Sequence, residues 1–154
     1  MKLGYSFNPE NEAFVAKAQG TELTIKFKHA TEICAAIQGM KAKEAEAYLQ
    51  KVIDGKALIP FKKCKLHGGH KKGEGLKKWP YGKQPVKAVG EIIKVLKAAI
   101  SNAEFRGLDA DNCVVASAVA QRGRKMHRLR PKGRHAVYST HLTTIQIVLE
   151  EVST

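Results

Sequence analysis

The sequence predicts an α+β fold, in which a small antiparallel sheet is covered by about three helices and a long β-hairpin projects from the sheet. Three observations predict it. Apolar residues recur at helical spacing after Pro85, which indicates a long core helix. Residues 113–120 and 136–149 have the composition of two strands. The segment between them, 121–135, contains five Arg, two Lys and no acidic residue, and would form the cationic end of the hairpin.

The net charge of +13 is the most informative feature of the composition. Charge of this size repels itself in a compact fold, so it predicts a polyanionic partner: DNA, RNA or an acidic membrane surface. No apolar run approaches the about 20 residues of a membrane span, and no signal peptide is visible. The length of 154 residues predicts one domain, 1–154. The three cysteines, Cys34, Cys64 and Cys113, favour reduced thiols in a cytosol.

The N-terminal part predicts an arm followed by a strand. Residues 1–19 are polar and mixed, which indicates an extended N-terminal arm. Residues 21–27 alternate, with Leu23, Ile25 and Phe27 on one face, and this pattern predicts a short half-buried strand.

Three helices are predicted after that strand. Residues 29–38 and 41–53 have apolar residues at helical spacing, and Gly39 and Gly55 would end these two helices. The third helix begins at Pro85 and ends at Gly107. Its apolar stripe follows the i, i+3, i+4, i+7 pattern and consists of Val89, Ile92, Ile93, Leu96, Ile100 and Ala103.

Residues 62–83 form a basic loop with eight Lys and a single acid, Glu74. The segment is too long and too polar to predict a packed loop, and loops of this kind are usually functional, or disordered until bound. Its aromatic residues, Trp79 and Tyr81, fit two roles equally well. They would either stack on nucleic-acid bases or anchor the loop to the body.

The hairpin, 113–149, is too long to fold down onto the rest of the chain. From Val115 to Arg128 an extended strand covers about 40 Å, whereas the remaining body has a predicted radius of gyration of about 13 Å. The sequence therefore predicts a ribbon that projects from the body and needs an external surface to order its outer half.

The candidate binding residues are the cations of the hairpin and of the loop. Arg and Lys bind phosphate oxygens, and Arg also stacks on unpaired bases. A solvated charged loop is the alternative, but it has no reason to exclude every acid and to favour Arg in a chain otherwise dominated by Lys. The candidates in the hairpin are Arg122, Arg124, Lys125, His127, Arg128, Arg130, Lys132 and Arg134. The candidates in the loop are Lys62, Lys63, Lys65, Lys71, Lys72, Lys77, Lys78 and Lys83.

One spacing is typical of a metal site. Cys64, His67 and His70 stand three residues apart, but a structural zinc site needs four ligands and no fourth is nearby. Either Cys113 or His135 would have to arrive from elsewhere. The sequence therefore predicts no metal and no cofactor, and it assigns these residues to a polar loop.

The sequence offers no support for catalysis. The carboxylates Glu44 with Glu46, and Asp109 with Asp111, come in close pairs, but neither pair lies near a nucleophile pattern. Phosphate-binding glycine loops, zincin helices and nucleophile elbows are absent from the sequence. No catalytic residue is predicted, and the protein is expected not to be an enzyme.

Nearly the whole chain resembles the L-twenty-two family of large-subunit ribosomal proteins, in its archaeal and eukaryotic form. The lysine-rich insertion at 62–83 is similar to that branch, because bacterial members join the helices more briefly. The segments that carry the resemblance are Lys28-His-Ala-Thr-Glu-Ile-Cys-Ala-Ala-Ile-Gln-Gly-Met40, Ile59-Pro-Phe-Lys62, Pro85-Val-Lys-Ala88 and Ser101-Asn-Ala-Glu-Phe-Arg-Gly-Leu-Asp109.

The resemblance implies a structural protein of the cytoplasmic ribosome that binds large-subunit ribosomal RNA. Its other implied partners are neighbouring large-subunit proteins and the nascent polypeptide, with no membrane. The hairpin tip would line the exit tunnel for the nascent chain. This chain departs from the family at that tip, where apolar and titratable side chains dilute the cations. The implied tip residues are Met126, His127, Arg128, Leu129 and Arg130.

Two other functions are alternatives to this one. A free-standing nucleic-acid-binding architectural protein would also use β-ribbon arms, but it needs dimer symmetry and apolar wedges. Beyond Met126 and Leu129 the hairpin offers no clear wedge. An RNA-modifying enzyme would need a pocket with a nucleophile or cofactor motif, and the sequence contains none.

Overall fold

A computed structural model describes residues 4–9, 12–64, 69–76, 79–129 and 137–152. A short 3-10 turn, Glu12–Phe14, precedes the first strand. The elements that follow are β1 Val15–Leu23, α1 Phe27–Ile37, α2 Ala42–Ile53, β2 Ile59–Pro60, β3 Gly82–Lys83, α3 Val86–Phe105, β4 Cys113–Leu129 and β5 Val137–Glu151.

The main sheet has three antiparallel strands in the order β1-β5-β4, and β2 and β3 form a separate two-stranded ribbon. The strand β5 is therefore central. Its residues Ile145, Ile147 and Leu149 join the core beneath the three helices. Beyond the core, β4 and β5 continue as a long hairpin. The predicted α+β architecture with a long hairpin is confirmed.

The position of the first strand differs from the prediction. The sequence predicts it at 21–27, but β1 runs from Val15 to Leu23, so residues 15–19 belong to the sheet and not to an arm. Phe27 starts α1 instead of ending a strand. The strand carries small residues because α3 crosses it closely. A Cβ on Gly20 would lie 2.6 Å from the Cγ2 of Val95. Small residues make a weak strand signal, which explains the error.

The three predicted helices are confirmed to within a few residues. They end where the sequence placed the glycines, since Gly39, Gly55 and Gly107 have φ angles of 82°, 81° and 78°. Only glycine adopts this left-handed conformation at little cost, so it terminates helices cleanly. Of the helices that the structure describes, none has the length and apolar character to cross a membrane.

The basic loop packs on the body in the part that the structure describes, which corrects the expectation that it is too polar to do so. Leu76 is buried. The indole Nε1 of Trp79 donates to the carbonyl of Phe61 at 3.0 Å, and the N–H of Lys71 donates to the carbonyl of Pro80 at 2.9 Å. Of the two roles open to Trp79, anchoring is the one observed.

A buried carboxylate ties the start of this loop to α1. Glu32 is only 2% exposed. Its carboxylate accepts hydrogen bonds from the backbone N–H groups of Lys62 at 3.0 Å, Lys63 at 2.8 Å and Cys64 at 2.6 Å. Bonds from N–H groups to a charged acceptor are stronger than neutral ones, so Glu32 sets the direction in which the basic loop leaves the body.

The second face of the sheet is covered by the N-terminal residues 4–9. Gln146, on that face of β5, is 2% exposed. Its Nε2 donates to the carbonyl of Gly4 at 3.0 Å, and its Oε1 accepts from the N–H of Ser6 at 3.1 Å. The predicted arm is thus shorter than 1–19 and lies on the sheet.

We expect Glu32→Ala to lower the free energy of unfolding by about 2 kcal/mol, because three N–H donors lose a charged acceptor. Urea denaturation measures this. The control is Glu44→Ala, an exposed carboxylate of α2, which should change stability by no more than about 0.5 kcal/mol. Equal losses for the two variants would contradict the bracing role of Glu32.

The three thiols should react at different rates with iodoacetamide at neutral to mildly alkaline pH. Burial raises the pKa of Cys34 to about 12, and burial followed by Glu151 and Asp109 raises the pKa of Cys113. Cys64 is half-buried. Since the thiolate is the nucleophile, Cys64 should be modified first, and all three should react in urea. Mass spectrometry of the labelled peptides would refute this order if Cys34 reacts as fast as Cys64 in the folded protein.

Candidate nucleic-acid interface

The outer hairpin is a paired ribbon whose side chains are open to solvent. Hydrogen-bonded pairing continues as far as Leu129 opposite Val137. Arg124, Lys125, His127 and Arg128 are all exposed. No acidic residue occurs between residues 112 and 149, so this described part of the ribbon presents cations to a partner without any competing carboxylate.

A β-bulge lies where the ribbon leaves the body. The pairing register shifts between Arg122, opposite Thr143, and Lys125, opposite His141. Gly123 lies within this shift, and a Cβ there would come within 3.3 Å of the Leu142 carbonyl oxygen. A bulge bends a strand and increases its twist, so it directs the outer ribbon away from the body.

Arg122 attaches the root of the hairpin to α1. Its guanidinium carbon lies 5.0 Å from the ring centroid of Phe27, the first residue of that helix. This cation–π contact occupies Arg122 on one side. Among the predicted hairpin cations that the structure describes, Arg122 is therefore the one most engaged in contact with the folded body.

The start of α1 connects the hairpin with the basic loop. The rings of His29 and Phe61 meet edge to face, with centroids 5.6 Å apart. The ammonium of Lys83 lies 5.4 Å from the Phe61 ring centroid. Burial lowers the pKa of His29, and the nearby cations Lys26 and Lys83 lower it further. The hairpin root, the start of α1 and the loop thus lie side by side.

Two cations that the sequence analysis did not assign to binding, Lys26 and Lys28, therefore belong to this surface; both are exposed. They flank the N-terminus of α1, where backbone N–H groups and the helix dipole favour an anion. The signal available in the sequence was their position directly before the apolar pattern of α1. We call these described cations together the basic surface: Lys26, Lys28, Lys62, Lys63, Lys71, Lys72, Lys83, Arg122, Arg124, Lys125 and Arg128.

The remaining predicted cations cannot be placed. Lys65, Lys77 and Lys78 of the loop, and Arg130, Lys132 and Arg134 of the hairpin, lie outside the described residues. Their role in binding stays a prediction.

The outer ribbon is more apolar than the sequence analysis supposed. Leu129 is 74% exposed, and Val137, directly opposite, is 59% exposed. Tyr138 and Met126 are also exposed. The predicted tip residues Met126, His127, Arg128 and Leu129 therefore share the ribbon with two further large side chains, Val137 and Tyr138. Arg130 lies outside the described residues.

Of the metal-like triplet Cys64, His67 and His70, His67 lies outside the described residues. The ring of His70 meets that of Tyr81 edge to face at 5.3 Å. In the part of the chain that the structure describes, no group of three His, Cys, Asp or Glu could hold a metal ion.

One member of each carboxylate pair noted in the sequence forms an ion pair with a lysine. Glu46 lies 3.3 Å from the ammonium of Lys97, and Asp111 pairs with Lys43. These are exposed pairs of the kind that decorate a protein surface.

Comparison with known proteins assigns the chain to a family. Residues 18–150 match the family described as "Ribosomal protein L22p/L17e". The chain is 43% identical over 151 residues to the large ribosomal subunit protein uL22 of Archaeoglobus fulgidus, covering 97% of this chain and 96% of that protein. It is 40% identical over 155 residues to the protein of the same name from Methanocella arvoryzae, covering 98% of each. The Caenorhabditis elegans protein of that name is 36% identical over 154 residues, which is 97% of this chain and 81% of that protein.

The match extends over both the helical body and the hairpin, and the relatives come from archaea and from a eukaryote, as the resemblance of the basic loop indicated. This is a family of structural ribosomal proteins and not of enzymes. The chain therefore belongs to the L22p/L17e family of ribosomal proteins.

Proposed function

We propose that this protein is a structural constituent of the large ribosomal subunit, that it binds large-subunit ribosomal RNA along the basic surface, and that its hairpin lines the nascent-peptide exit tunnel. The observation that carries this proposal is the acid-free ribbon, whose cations are exposed beyond the folded body. The names of the relatives support the large subunit as its place.

The binding mechanism follows from the charge and shape of the ribbon. A two-stranded ribbon is thin enough to enter between RNA helices, and its backbone is already paired, so it needs no further hydrogen bonds from the RNA. Lys and Arg neutralise phosphates and release counterions, which drives association. The packed loop adds Lys62, Lys63, Lys71 and Lys72 at the side of the body, where Glu32 orients the backbone.

The tip would meet the nascent polypeptide. Met126, His127, Arg128, Leu129 and Arg130 combine apolar, cationic and titratable side chains, so this stretch suits a wall that touches many sequences without binding any of them tightly. Neighbouring large-subunit proteins are further partners, and the protein would act in the cytoplasmic ribosome.

The exposed Leu129–Val137 pair gives some support to a second function. Apolar side chains at the end of a ribbon can wedge between base steps and bend a duplex, as free-standing architectural proteins do. Sedimentation separates the two functions. Recovery of the protein with large subunits supports the first, and a freely sedimenting protein that bends naked duplexes supports the second.

Binding to ribosomal RNA should fall by about 10³–10⁵ when salt rises from about 50 to 200 mM, if six to ten cations touch phosphate. The logarithm of the affinity falls linearly with the logarithm of the salt concentration. Replacing Arg124, Lys125 and Arg128 with Gln should make this slope shallower by about 2–3. The matched control replaces Lys87, Lys94 and Lys97 on α3 with Gln. Filter binding measures both, and an equal loss in the control would mean that total charge, and not the ribbon, governs binding.

Shortening the hairpin should leave the body folded and change the tunnel wall. Lys125 and His141 face each other, so Asn-Gly in place of 126–140 closes the ribbon with a two-residue turn. The core residues Ile92 and Leu96 lie outside the cut. The variant should enter large subunits, and cross-links from a stalled nascent chain to this protein should decrease. Failure to assemble would make the hairpin an assembly anchor, and an intact hairpin without nascent-chain cross-links would contradict the tunnel role.

A further inference from the structure

Carboxylates collect at the end of the sheet opposite the hairpin tip. At that end β1 and β4 begin, while β5 and α3 finish. Val15 pairs with Glu150 and Cys113 pairs with Glu151, which brings the chain segments together. We call these carboxylates the acidic end: Glu12, Glu104, Asp109, Asp111, Glu150 and Glu151.

Several contacts join Glu104, Asp109, Asp111 and Glu151 of the acidic end into one surface. The N–H of Asp109 donates to the Oε1 of Glu151 at 3.1 Å. Lys43 pairs with Asp111, and its pKa is raised by that bond and then by the charges of Asp111, Asp109 and Glu104. These carboxylates, contributed by α3, by the turn before β4 and by β5, are therefore neighbours.

The basic residues placed at this end do not cancel its charge. Lys43 is paired with Asp111, and Lys17 with Glu12. Arg106 directs its Nη1 at the backbone carbonyls of Glu12 at 3.0 Å and Val15 at 2.6 Å. Together with Lys41, opposite Val114, these make four basic residues against six carboxylates in the described part of this end. This end is therefore negative in a chain whose net charge is +13.

Large apolar side chains stand among these carboxylates. Phe105, at the end of α3, is 94% exposed, Phe14 is 51% exposed and Val152 is 55% exposed. Arg106 links Phe105 with the segment of Phe14, because it follows Phe105 in the chain and its side chain contacts the carbonyls on either side of Ala13 and Phe14. Exposed aromatic residues with a charged rim mark protein interaction sites more often than they mark solvated surface.

We propose that the acidic end, with Phe14 and Phe105, is a docking surface for a basic segment of another protein that carries at least one large apolar side chain. The inference rests on the proposed function in one respect, that RNA takes the cationic opposite end. The apolar side chain of the partner packs on Phe105 and Phe14, and its Lys or Arg residues face the carboxylates.

Charge complementarity decides among the possible occupants. RNA is disfavoured, because its phosphates would lie against carboxylates at close range. A metal ion is disfavoured as well, since the described residues contain no group of three acids able to share one ion. The carboxylates are spread over the ends of several helices and strands, which suits an extended or helical protein segment better than a single ion.

Site-specific cross-linking tests this proposal. A photoreactive phenylalanine analogue replaces Phe105 in a tagged full-length chain that is irradiated in living cells, and the adducts are mapped by mass spectrometry. The proposal expects an adduct to a segment of another protein with net positive charge. An adduct to RNA, to another copy of this chain, to a neutral or acidic segment, or no adduct, would overturn it.

The same analogue at Tyr138 of the hairpin reports on the proposed function independently, because it should yield RNA adducts in large subunits. Failure at Tyr138 alone would defeat the RNA role of the hairpin and leave the docking surface standing. Failure at Phe105 alone would defeat the docking surface and leave the RNA role of the hairpin standing.

The cross-linked segment is then made as a synthetic peptide, and its affinity for the chain is measured by titration. Phe105→Ser should weaken its binding by at least about fivefold, as truncation of an aromatic interface anchor does, and Glu104→Gln with Glu151→Gln should weaken it most at low salt. Val86→Ser is the control, an exposed apolar residue at the other end of α3. All variants should keep the Tm of the unaltered chain. If the Phe105→Ser and Val86→Ser variants bind the peptide with equal affinity, Phe105 is not an anchor of this interface.

Discussion

The pairing of β5 with a neighbour on each side is the constraint on which the rest of the structure depends. Its inner residues, 142–149, are buried on both faces, beneath the helices on one side and the N-terminal residues on the other. Its outer residues continue, still paired with β4, into solvent. A slip of one residue would move every buried side chain of β5 to the wrong face. The register of β5 is therefore strongly determined at its base, where the outer ribbon begins. The rigid core thereby determines where the exposed ribbon points.

The charge distribution divides the molecule along the same strand. Residues from 112 to 149 carry no acid, whereas Glu150, Glu151 and the neighbouring carboxylates stand at the other end of β5. A protein that places opposite charges at the two ends of one sheet is oriented by the field of a polyanion before any contact forms. In the proposed complex the cationic end would face the RNA and the acidic end would face away from it, which would leave the acidic end available to other proteins.

The basic loop shows how a highly charged segment is kept on a folded body. Leu76 and Trp79 supply the apolar and hydrogen-bonding anchors, and Glu32 supplies a buried acceptor for three N–H groups. Of the described loop cations, Lys62, Lys63, Lys71 and Lys72 keep exposed side chains, whereas Lys83 is half-buried with its ammonium over the Phe61 ring. The backbone is fixed while the charges remain free, and a partner therefore binds the loop with less loss of conformational entropy than a fully disordered segment would require.

The sequence by itself determined the features that depend on local periodicity and composition. The stripe of Ile92 and Leu96, the helix-ending Gly39 and Gly107, the two hairpin strands and the cations between them are all local signals, and the fold class and family follow from them. The tertiary structure decided what depends on contacts between distant residues. Val15–Leu23 is a strand because it pairs with β5 and fits beneath Val95, and Glu32 is buried because the loop N–H groups close around it. Lys26 and Phe105 acquire their importance from neighbours far away in the chain, since charge and exposure are properties of a surface that only folding assembles.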